Sequence, residues 1–301
     1  MKSLFTLMLC TASMLAAEKP KRDQNEVALP SGAVARFGYA HLTHSDRVNC
    51  ARFTPDGRFL VTGSHDRTIR FWNVKTGKEV KRFTGTSNYV SALAFDANQL
   101  LAAERGDGIF IWNWKDSGLI RQIPRKHFTD FVTISPDGRY VASLERDWNV
   151  HVRDAVSGKD AYFFKGQNGS SRAVAFSPDN RFLAYSKGDK IIRLVDLQTS
   201  KEVKTLHGHK GAITTLVFSP HAKHLFSGGK VFNQGTHVWD IKNAKVLKIF
   251  KDYERPRLSD DGKILALSNS SKMKLVDAKT FKTIRQFPDR TRYTDADFSP
   301  D

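Results

Sequence analysis

The sequence predicts an all-β propeller made of four-stranded antiparallel blades. An apolar residue followed by Ser or Thr, Pro, Asp and Gly recurs along the 301 residues, in complete or shortened form. The apolar residues that open these motifs lie 39 to 42 residues apart: Phe53, Phe95, Ile134, Phe176, Phe218, Leu258 and Phe298. A fixed period of this length indicates one supersecondary unit per repeat. Since each repeat offers four short strand-like segments and no helical period, the repeats are expected to be the blades of a ring.

The first complete repeat, residues 47–85, shows how one blade is built. Residues 48–53 are rich in side chains that suit a half-buried strand. Residues 54–57 form a turn, in which Pro fixes one backbone angle and Gly takes the positive one. Further strands are expected at 58–63, 68–72 and 79–83, separated by short polar turns. The later repeats follow the same order.

The N-terminus has the pattern of a secretory signal peptide. Lys2 precedes a short apolar run from Leu4 to Leu15, and Ala16-Ala17 offers a small-residue cleavage site. We therefore expect a signal at 1–17, a polar linker at 18–30 and the propeller at 31–301. A retained membrane anchor is the alternative, although the run is shorter than the roughly 20 residues that a membrane span needs. No other segment is apolar enough to cross a membrane. The expected location is the periplasm or the extracellular space.

The chain is strongly basic, with 48 Lys and Arg against 31 Asp and Glu, a formal net charge of +17. A dispersed excess of this size attracts polyanions, so anionic polymers are candidate partners. The alternative is a solvated basic surface without a dedicated partner. Long basic runs of the kind found in nucleic-acid arms are absent, and nucleic acid is not expected.

The repeats resemble the WD40-repeat family. The similarity rests on the pairs that end the third strands: Trp72-Asn73, Trp112-Asn113, Arg153-Asp154, Val195-Asp196, Trp239-Asp240 and Val276-Asp277. Gly208-His209 matches the Gly-His pair of the family, and His44 stands nine residues before Phe53, as His209 does before Phe218. The resemblance covers about residues 29 to 301, and the secreted repeats look more like bacterial than eukaryotic members.

The resemblance implies six complete blades plus an incomplete seventh. In this family the two chain ends usually pair within one blade. Residues 33–38 resemble the outer strand of that blade, whereas residues 293–301 supply only the start of its inner part. The chain is therefore interpreted as a fragment, or as the product of a truncated gene.

The family also holds its blades together through buried hydrogen bonds among His, Ser or Thr, Asp and Trp. In the first blade the corresponding residues are His44, Thr62, Asp66 and Trp72. The fifth blade has His209, Ser227 and Trp239 but no Asp in its longer turn, and the other blades lack the His. A partial set stabilises less than a complete one, so those blades are expected to be less cooperative.

Sequence motifs for catalysis or metal binding are missing. The chain has no Gly-x-Ser-x-Gly elbow, phosphate loop or dinucleotide fingerprint. The close histidine pairs, His41 with His44, His207 with His209 and His221 with His224, have no cysteine nearby. The sequence therefore predicts no catalytic residue, no metal and no cofactor.

A binding surface is the expected functional site. Partners of the family most often dock on the face of the His-bearing loops, around the central channel. The residues four before each motif would surround that entrance: Asn49, Ser91, Asp130, Arg172, Thr214, Glu254 and Thr294. Phe232, in the longer turn of the fifth blade, is a further candidate contact. The alternative is that these are ordinary strand-end residues.

These inferences describe an exported, non-catalytic scaffold for a protein or peptide partner. Its mechanism would be rigid display, in which a stiff ring orders its loops before binding. The alternative is a sensor or docking module of a longer enzyme or electron-transfer protein that continues beyond residue 301.

Overall fold

A computed structural model of the chain describes residues 44–86, 88–96, 100–104, 108–116, 118–124, 129–145, 147–166, 173–188, 190–229, 235–287 and 298–299. The expected signal, the linker, the segment 33–38 and most of the seventh repeat lie outside these residues.

The described part of the chain contains 24 strands and no helix, and thus no helix that could cross a bilayer. The strands are β1 Val48–Phe53, β2 Phe59–Ser64, β3 Ile69–Asn73, β4 Glu79–Phe83, β5 Val90–Phe95, β6 Leu100–Glu104, β7 Gly108–Asn113, β8 Gly118–Pro124, β9 Thr129–Ile134, β10 Tyr140–Glu145, β11 Val150–Asp154, β12 Asp160–Phe164, β13 Val174–Phe176, β14 Phe182–Lys187, β15 Ile191–Asp196, β16 Lys201–His207, β17 Ile213–Phe218, β18 His224–Gly229, β19 Thr236–Asp240, β20 Lys245–Phe250, β21 Arg255–Leu258, β22 Ile264–Ser268, β23 Met273–Asp277 and β24 Thr283–Gln286.

Each run of four consecutive strands forms one antiparallel sheet, which gives six four-stranded sheets within the described residues. In the first sheet the order is β1-β2-β3-β4, and the strand bounds differ from the sequence prediction by at most one residue. The prediction of an all-β propeller with four-stranded antiparallel blades is confirmed. The expected incomplete seventh blade falls on residues that are not described, apart from Phe298 and Ser299.

The repeated motif makes the turn between the first and second strands. Thr54 donates its hydroxyl proton to Asp56 at 2.6 Å and accepts the backbone N–H of Phe59 at 3.1 Å. Gly57 has a φ of 67°, which glycine adopts without strain. Ser135 and Ser259 make the same bond to Asp137 and Asp261, at 2.6 and 2.7 Å. The motif therefore encodes one hydrogen-bonded turn that recurs from blade to blade.

The blades meet through their first strands. β1 contacts β5, β5 contacts β9, and the series continues through β13 and β17 to β21. The fourth strands lie at the opposite edges of the sheets and are largely exposed, as the burial of β8, β20 and β24 shows. The first strands are thus the inner strands of the ring, and the fourth strands form its outer wall.

Apolar and aromatic side chains fill the space between adjacent blades. Between the first and second blades the ring of Phe83 stacks on that of Trp112, with 5.6 Å between their centroids. Val61, Phe71 and Val90 belong to the same buried cluster. Each blade therefore buries its faces mainly against its neighbours, as the repeat pattern requires.

Two glycines allow the closest approach between neighbouring blades. Gly63 and Gly228 occupy the same position on the second strands of the first and fifth blades. A Cβ atom on Gly63 would lie 2.5 Å from Cγ1 of Val90, and one on Gly228 would lie 1.9 Å from the carbonyl oxygen of Glu254. In both blades the missing side chain makes room for the inner strand of the next blade.

We predict that Gly228→Ala lowers the free energy of unfolding by more than about 2 kcal/mol, because the new methyl group would overlap backbone that cannot move alone. Urea unfolding followed by circular dichroism measures this. Gly77→Ala is the control, since its φ of 66° is unfavourable for alanine but no atom lies within 4 Å; it should cost about 1 kcal/mol. A Gly228→Ala protein as stable as the wild type would contradict the close approach.

Candidate functional site

The inner strands of four blades carry a β-bulge near their start. The pairing register shifts between Val48 and Cys50, between Val90 and Ala92, and between Ile213 and Thr215. In the third blade it shifts where Thr129 and Phe131 pair with Glu145 and Leu144. The skipped residues are Asn49, Ser91, Asp130 and Thr214. Bulges bend a strand and re-aim one side chain, and they are common at the rims of closed β structures.

These four residues, here called the inner rim, are four of the eight predicted contact residues. Each is the second residue of its inner strand. Because neighbouring inner strands contact one another, the inner rim lies along one end of the row of inner strands. The sequence period located this row of residues, but the bulges that displace them from the ladder could not be predicted from it.

The remaining predicted contacts are less well defined. Glu254 lies one residue before β21, and its backbone N–H donates to the carbonyl of Ser268 at 2.9 Å. Arg172, Phe232 and Thr294 lie outside the described residues. That these four residues contact a partner therefore stays a prediction.

Part of the inner rim also joins the blades. Nδ2 of Asn49 donates to the carbonyl oxygen of Val90 in the second blade at 2.9 Å. Nearby, the hydroxyl of Thr86 donates to the carbonyl of Arg67 at 2.7 Å, and the rings of His65 and Tyr89 lie 4.3 Å apart. These contacts fix the loops of the first blade to the second, so this side of the rim is held in one arrangement.

The hydrogen-bonded residues of the first blade lie together. Nε1 of Trp72 donates to the hydroxyl of Thr62 at 2.7 Å, and that hydroxyl lies 2.7 Å from Nε2 of His44. Nδ1 of His44 lies 2.9 Å from a carboxylate oxygen of Asp66. Because the carboxylate of Asp66 can only accept, Nδ1 of the neutral His44 ring donates to it, and Nε2 then accepts a hydrogen bond from the hydroxyl of Thr62. All four side chains predicted for this blade are thereby connected.

Burial and hydrogen bonding set the charge state of this group. Burial lowers the pKa of His44, which favours the neutral ring. Hydrogen bonds from Thr68, His44 and Ser45 outweigh the burial of Asp66 and hold the pKa of its carboxyl well below the ordinary range. An Asp, a His and a hydroxyl in line have the order of a nucleophilic triad. Here Trp72 occupies the hydroxyl and Thr62 is only 8% exposed, so the arrangement is suited to holding the blade together.

The fifth blade repeats the hydrogen bonds among Trp, a hydroxyl and His, but it lacks the carboxylate that accepts from the His in the first blade. The hydroxyl of Ser227 accepts Nε1 of Trp239 at 2.7 Å and lies 2.6 Å from Nε2 of His209. No residue in the described part of the chain accepts a hydrogen bond from Nδ1 of His209. Instead, its ring lies 3.9 Å from the ring of His237, and both rings are almost fully buried. Burial and the neighbouring His237 lower the pKa of His209 to about 3.

The third blade replaces the Trp and His with charged groups, which the sequence prediction missed. Nη1 of Arg153, at the position of Trp72, donates to Glu145 at 2.7 Å and to Ser143 at 3.1 Å. Arg153 and Glu145 are 8% and 2% exposed, and His151 lies 3.2 Å from Asp147. The sequence signal that could have revealed this pair is a charged residue at a strand position that is apolar or aromatic in other blades: Arg153 in β11 and Glu145 in β10. This buried ion pair takes the place of the network in the first blade.

Among the described residues, no group of three or more His, Cys, Asp or Glu side chains could hold a metal ion. The paired rings of His209 and His237 are thus two potential ligands without a third. The expectation that the chain needs no cofactor or metal remains a prediction.

Comparison with known proteins supports the family resemblance. The family model described as WD domain, G-beta repeat, matches residues 38–73, 158–196 and 200–240. These segments include the first three strands of the first, fourth and fifth blades. Over these three segments the chain is similar to WD40 repeats.

Similar curated proteins are longer than the matched region. Periodic tryptophan protein 2 of Arabidopsis thaliana is 29% identical over 131 residues, which cover 39% of this chain and 15% of that protein. Nuclear distribution protein nudF of Aspergillus oryzae is 28% identical over 150 residues, which cover 47% of this chain and 32% of that protein. Both relatives are eukaryotic, so the bacterial-type character stays a prediction.

Solved structures show the same fold. The β-propeller domain of Myceliophteria thermophila Cps50 (Swd1) superposes with a TM-score of 0.72 at 16% identity, over 86% of this chain and 91% of that one. A chain of the mitotic checkpoint complex gives a TM-score of 0.68 at 22% identity, over 76% of this chain and 73% of that one. At these identities the likeness concerns the fold alone.

We predict that His209 makes the protein less stable in acid. The unfolded chain binds a proton at His209 below its ordinary pKa of 6.5, whereas the folded chain stays neutral until about pH 3. The contribution of His209 is therefore complete above pH 6.5 and is lost as the pH falls from 6.5 toward 3. In His209→Gln the unfolding free energy should fall less steeply in this range, by up to about 1.4 kcal/mol per pH unit.

Urea unfolding at several pH values measures this difference. His221→Gln is the matched control, because it makes the same substitution at an exposed turn and should change the unfolding free energy by less than about 0.5 kcal/mol. Parallel curves for His209→Gln and the wild type would show that His209 is not kept neutral by the fold.

Proposed function

We propose that the chain is an exported, non-catalytic scaffold that binds a protein or peptide partner at the inner rim. The observation that carries this proposal is the bulge that displaces Asn49, Ser91, Asp130 and Thr214 at the same position of four inner strands. WD40 propellers typically bind proteins or peptides, which supports the same conclusion. The similar proteins named above do not identify the partner.

The composition of the rim fits a peptide. Its amide and hydroxyl side chains both donate and accept hydrogen bonds, as the backbone of a peptide does. One of the four rim residues, Asp130, is acidic and none is basic, so the composition of the rim does not favour a uniformly anionic polymer. The polyanion attraction expected from the net charge of +17 is therefore assigned to other surfaces of the ring.

The surrounding structure supports rigid display. Asn49 is half-buried and bonded to the second blade, while Thr214 is half-buried in β17. The network of Thr62, Trp72 and His44 holds the loop of the first blade in place behind the rim. A partner would then meet side chains that lose little further freedom on binding, which lowers the entropic cost of association.

The proposal of export rests on the N-terminal sequence. Lys2, the apolar run from Leu4 to Leu15 and the small residues Ala16 and Ala17 have the order of a cleaved signal. The propeller needs no disulfide for its stability, because its blades bury large apolar clusters against one another.

We predict that Thr214→Arg weakens peptide binding without unfolding the ring, because a long charged side chain would fill the rim. Peptides selected from a random library on the immobilised wild-type chain should bind this variant about tenfold more weakly. Val203→Arg, on the exposed outer strand β16, is the control and should change affinity less than about twofold. Equal affinity for wild type and Thr214→Arg would contradict the proposal that the peptide docks at the inner rim.

We also predict that the full chain, expressed in a secreting host, appears outside the cytoplasm with Glu18 as its first residue. Leu9→Arg interrupts the apolar run and should keep the chain uncleaved inside the cell. N-terminal sequencing and intact mass measure both outcomes. A wild-type product that retains Met1 and the apolar run would contradict export by a cleaved signal.

A further inference from the structure

The third strands of three blades place a basic residue at the same position. Two of these residues pair with a carboxylate of their own blade, and the third does not. The guanidinium of Arg70 pairs with Asp66 at 3.0 Å and with Glu79 at 3.2 Å. The guanidinium of Arg193 pairs with Glu202. The corresponding residue of the sixth blade is Lys274, and no carboxylate in the described part of the chain pairs with it.

The neighbouring fourth strand explains this difference. Glu79 and Glu202 stand opposite Trp72 and Val195 in the pairing register of their blades. In the sixth blade the residue opposite Val276 is Thr283. A neutral side chain thus stands where the two other blades provide the carboxylate, and Lys274 keeps its charge without a counter-ion from its own blade.

Lys274 instead lies over two aromatic rings of the fifth blade. Its Nζ is 4.3 Å from the ring centroid of Tyr253 and 4.9 Å from that of Phe250. The hydroxyl of Tyr253 points to Gln286 at 3.4 Å, which fixes the ring beside the lysine. Such contacts favour an ammonium group, but they do not neutralise it. Burial and the nearby charge of Lys248 lower the pKa of Lys274.

Lys248, on the fourth strand of the fifth blade, is a second basic residue near Lys274, and Lys81 is its counterpart in the first blade. Lys81 occupies the same fourth-strand position, opposite Phe71, as Lys248 does opposite Val238. Nζ of Lys81 donates to the carbonyls of Trp114 and Lys115 at 2.7 and 2.9 Å. Lys248 makes no such bond within the described residues. Lys248 and Phe250 stand two residues apart in β20, so their side chains lie on the same face of the strand. Because Lys274 lies over the Phe250 ring, both ammonium groups lie on the side of β20 that faces the sixth blade. In the described part of the chain neither has a carboxylate partner.

We propose that Lys248 and Lys274 form an anion site in the groove between the fifth and sixth blades, and that it receives a carboxylate side chain from an acidic, extended segment of a protein partner. The site lies on the outer wall and does not depend on the inner rim. The anion would supply the counter-charge that Glu79 and Glu202 supply within the other blades.

Charge complementarity favours an acidic segment along this wall. Neither β20 nor β24 contains an Asp or Glu, whereas β4, β12 and β16 each contain one. Asp252, close by in sequence, lies 3.7 Å from Nζ of Lys272 and is partly neutralised. Leu247 and Ile284 are 48% and 56% exposed on the two strands, so apolar residues that flank the carboxylate would also find contacts.

The donor chemistry favours a carboxylate over a phosphate. Bidentate recognition of phosphate uses Arg forks, and helix N-termini supply free backbone N–H groups to phosphates. Here the donors are two lysines, which act as point charges, and the site lies between strands whose ladders use their backbone groups. Two ammonium groups match the two oxygens of one carboxylate.

Binding of fluorescein-labelled hexaglutamate to the full chain, followed by fluorescence anisotropy at low salt, tests the proposal. Lys274→Met and Lys248→Met keep the apolar stem and should each raise the dissociation constant about tenfold, the effect of losing one charge-assisted hydrogen bond. Lys274→Arg restores the charge and should bind within about threefold of the wild type.

Lys245→Met is the matched control, since it removes one exposed charge from the same strand. It should change the dissociation constant less than about twofold. A loss equal to that of Lys274→Met would mean that only the net charge attracts the peptide, and would overturn the site. Full competition by inorganic phosphate at the peptide's own concentration would overturn the choice of a carboxylate.

A second measurement keeps the proposal testable if Lys274→Met does not fold. In the wild-type chain, the 13Cε chemical shift of Lys274 followed against pH reports its pKa. Addition of hexaglutamate should raise that pKa, because the bound carboxylate stabilises the charged lysine. A titration curve that does not move would overturn the proposal without any variant.

Discussion

Each sheet of this molecule can bury its apolar faces only against the two sheets beside it, and that constraint governs the rest of the structure. The inner strands approach closely enough that Gly63 and Gly228 have no room for a side chain against the next blade. Such contact leaves little freedom to the ends of the inner strands. The bulges at Asn49 and Thr214 are therefore held in defined places, which is what a docking surface needs.

The polar interior shows that different side chains can fill the same position on the third strand, Trp72 in the first blade and Arg153 in the third. In the first blade the hydroxyl of Thr62 accepts a hydrogen bond from the indole N–H of Trp72 and donates one to His44. In the third blade Arg153 reaches the equivalent Ser143 and is neutralised by Glu145. In both blades the indole or guanidinium donates to a side-chain oxygen, whereas in the fifth blade Nδ1 of His209 has no acceptor among the described residues. The blades therefore keep one backbone geometry while differing in the side chains that fill this position.

The repeat period was enough to predict the fold, because a hydrogen-bonded turn such as Thr54–Asp56 depends on neighbours in sequence. It also placed Asn49, Ser91, Asp130 and Thr214 in one row. It could not predict the bulges, because these depend on how two strands with different twist remain paired. The network of Arg153 was missed for another reason: whether a buried arginine is tolerated depends on a carboxylate eight residues away in sequence, Glu145, reaching it across the sheet.

Repeats provide an internal comparison that a single domain lacks. Arg70, Arg193 and Lys274 occupy one position, and in the first two blades a glutamate on the fourth strand neutralises the cation. Thr283 replaces that glutamate in the sixth blade, although the aromatic surroundings of Lys274 still hold the cation in place. A charge that the fold positions but does not neutralise costs free energy in the isolated chain. Such a position is informative because the energy is recovered only when an anion binds, and this makes the groove beside Lys248 a more specific candidate than the dispersed basic surface.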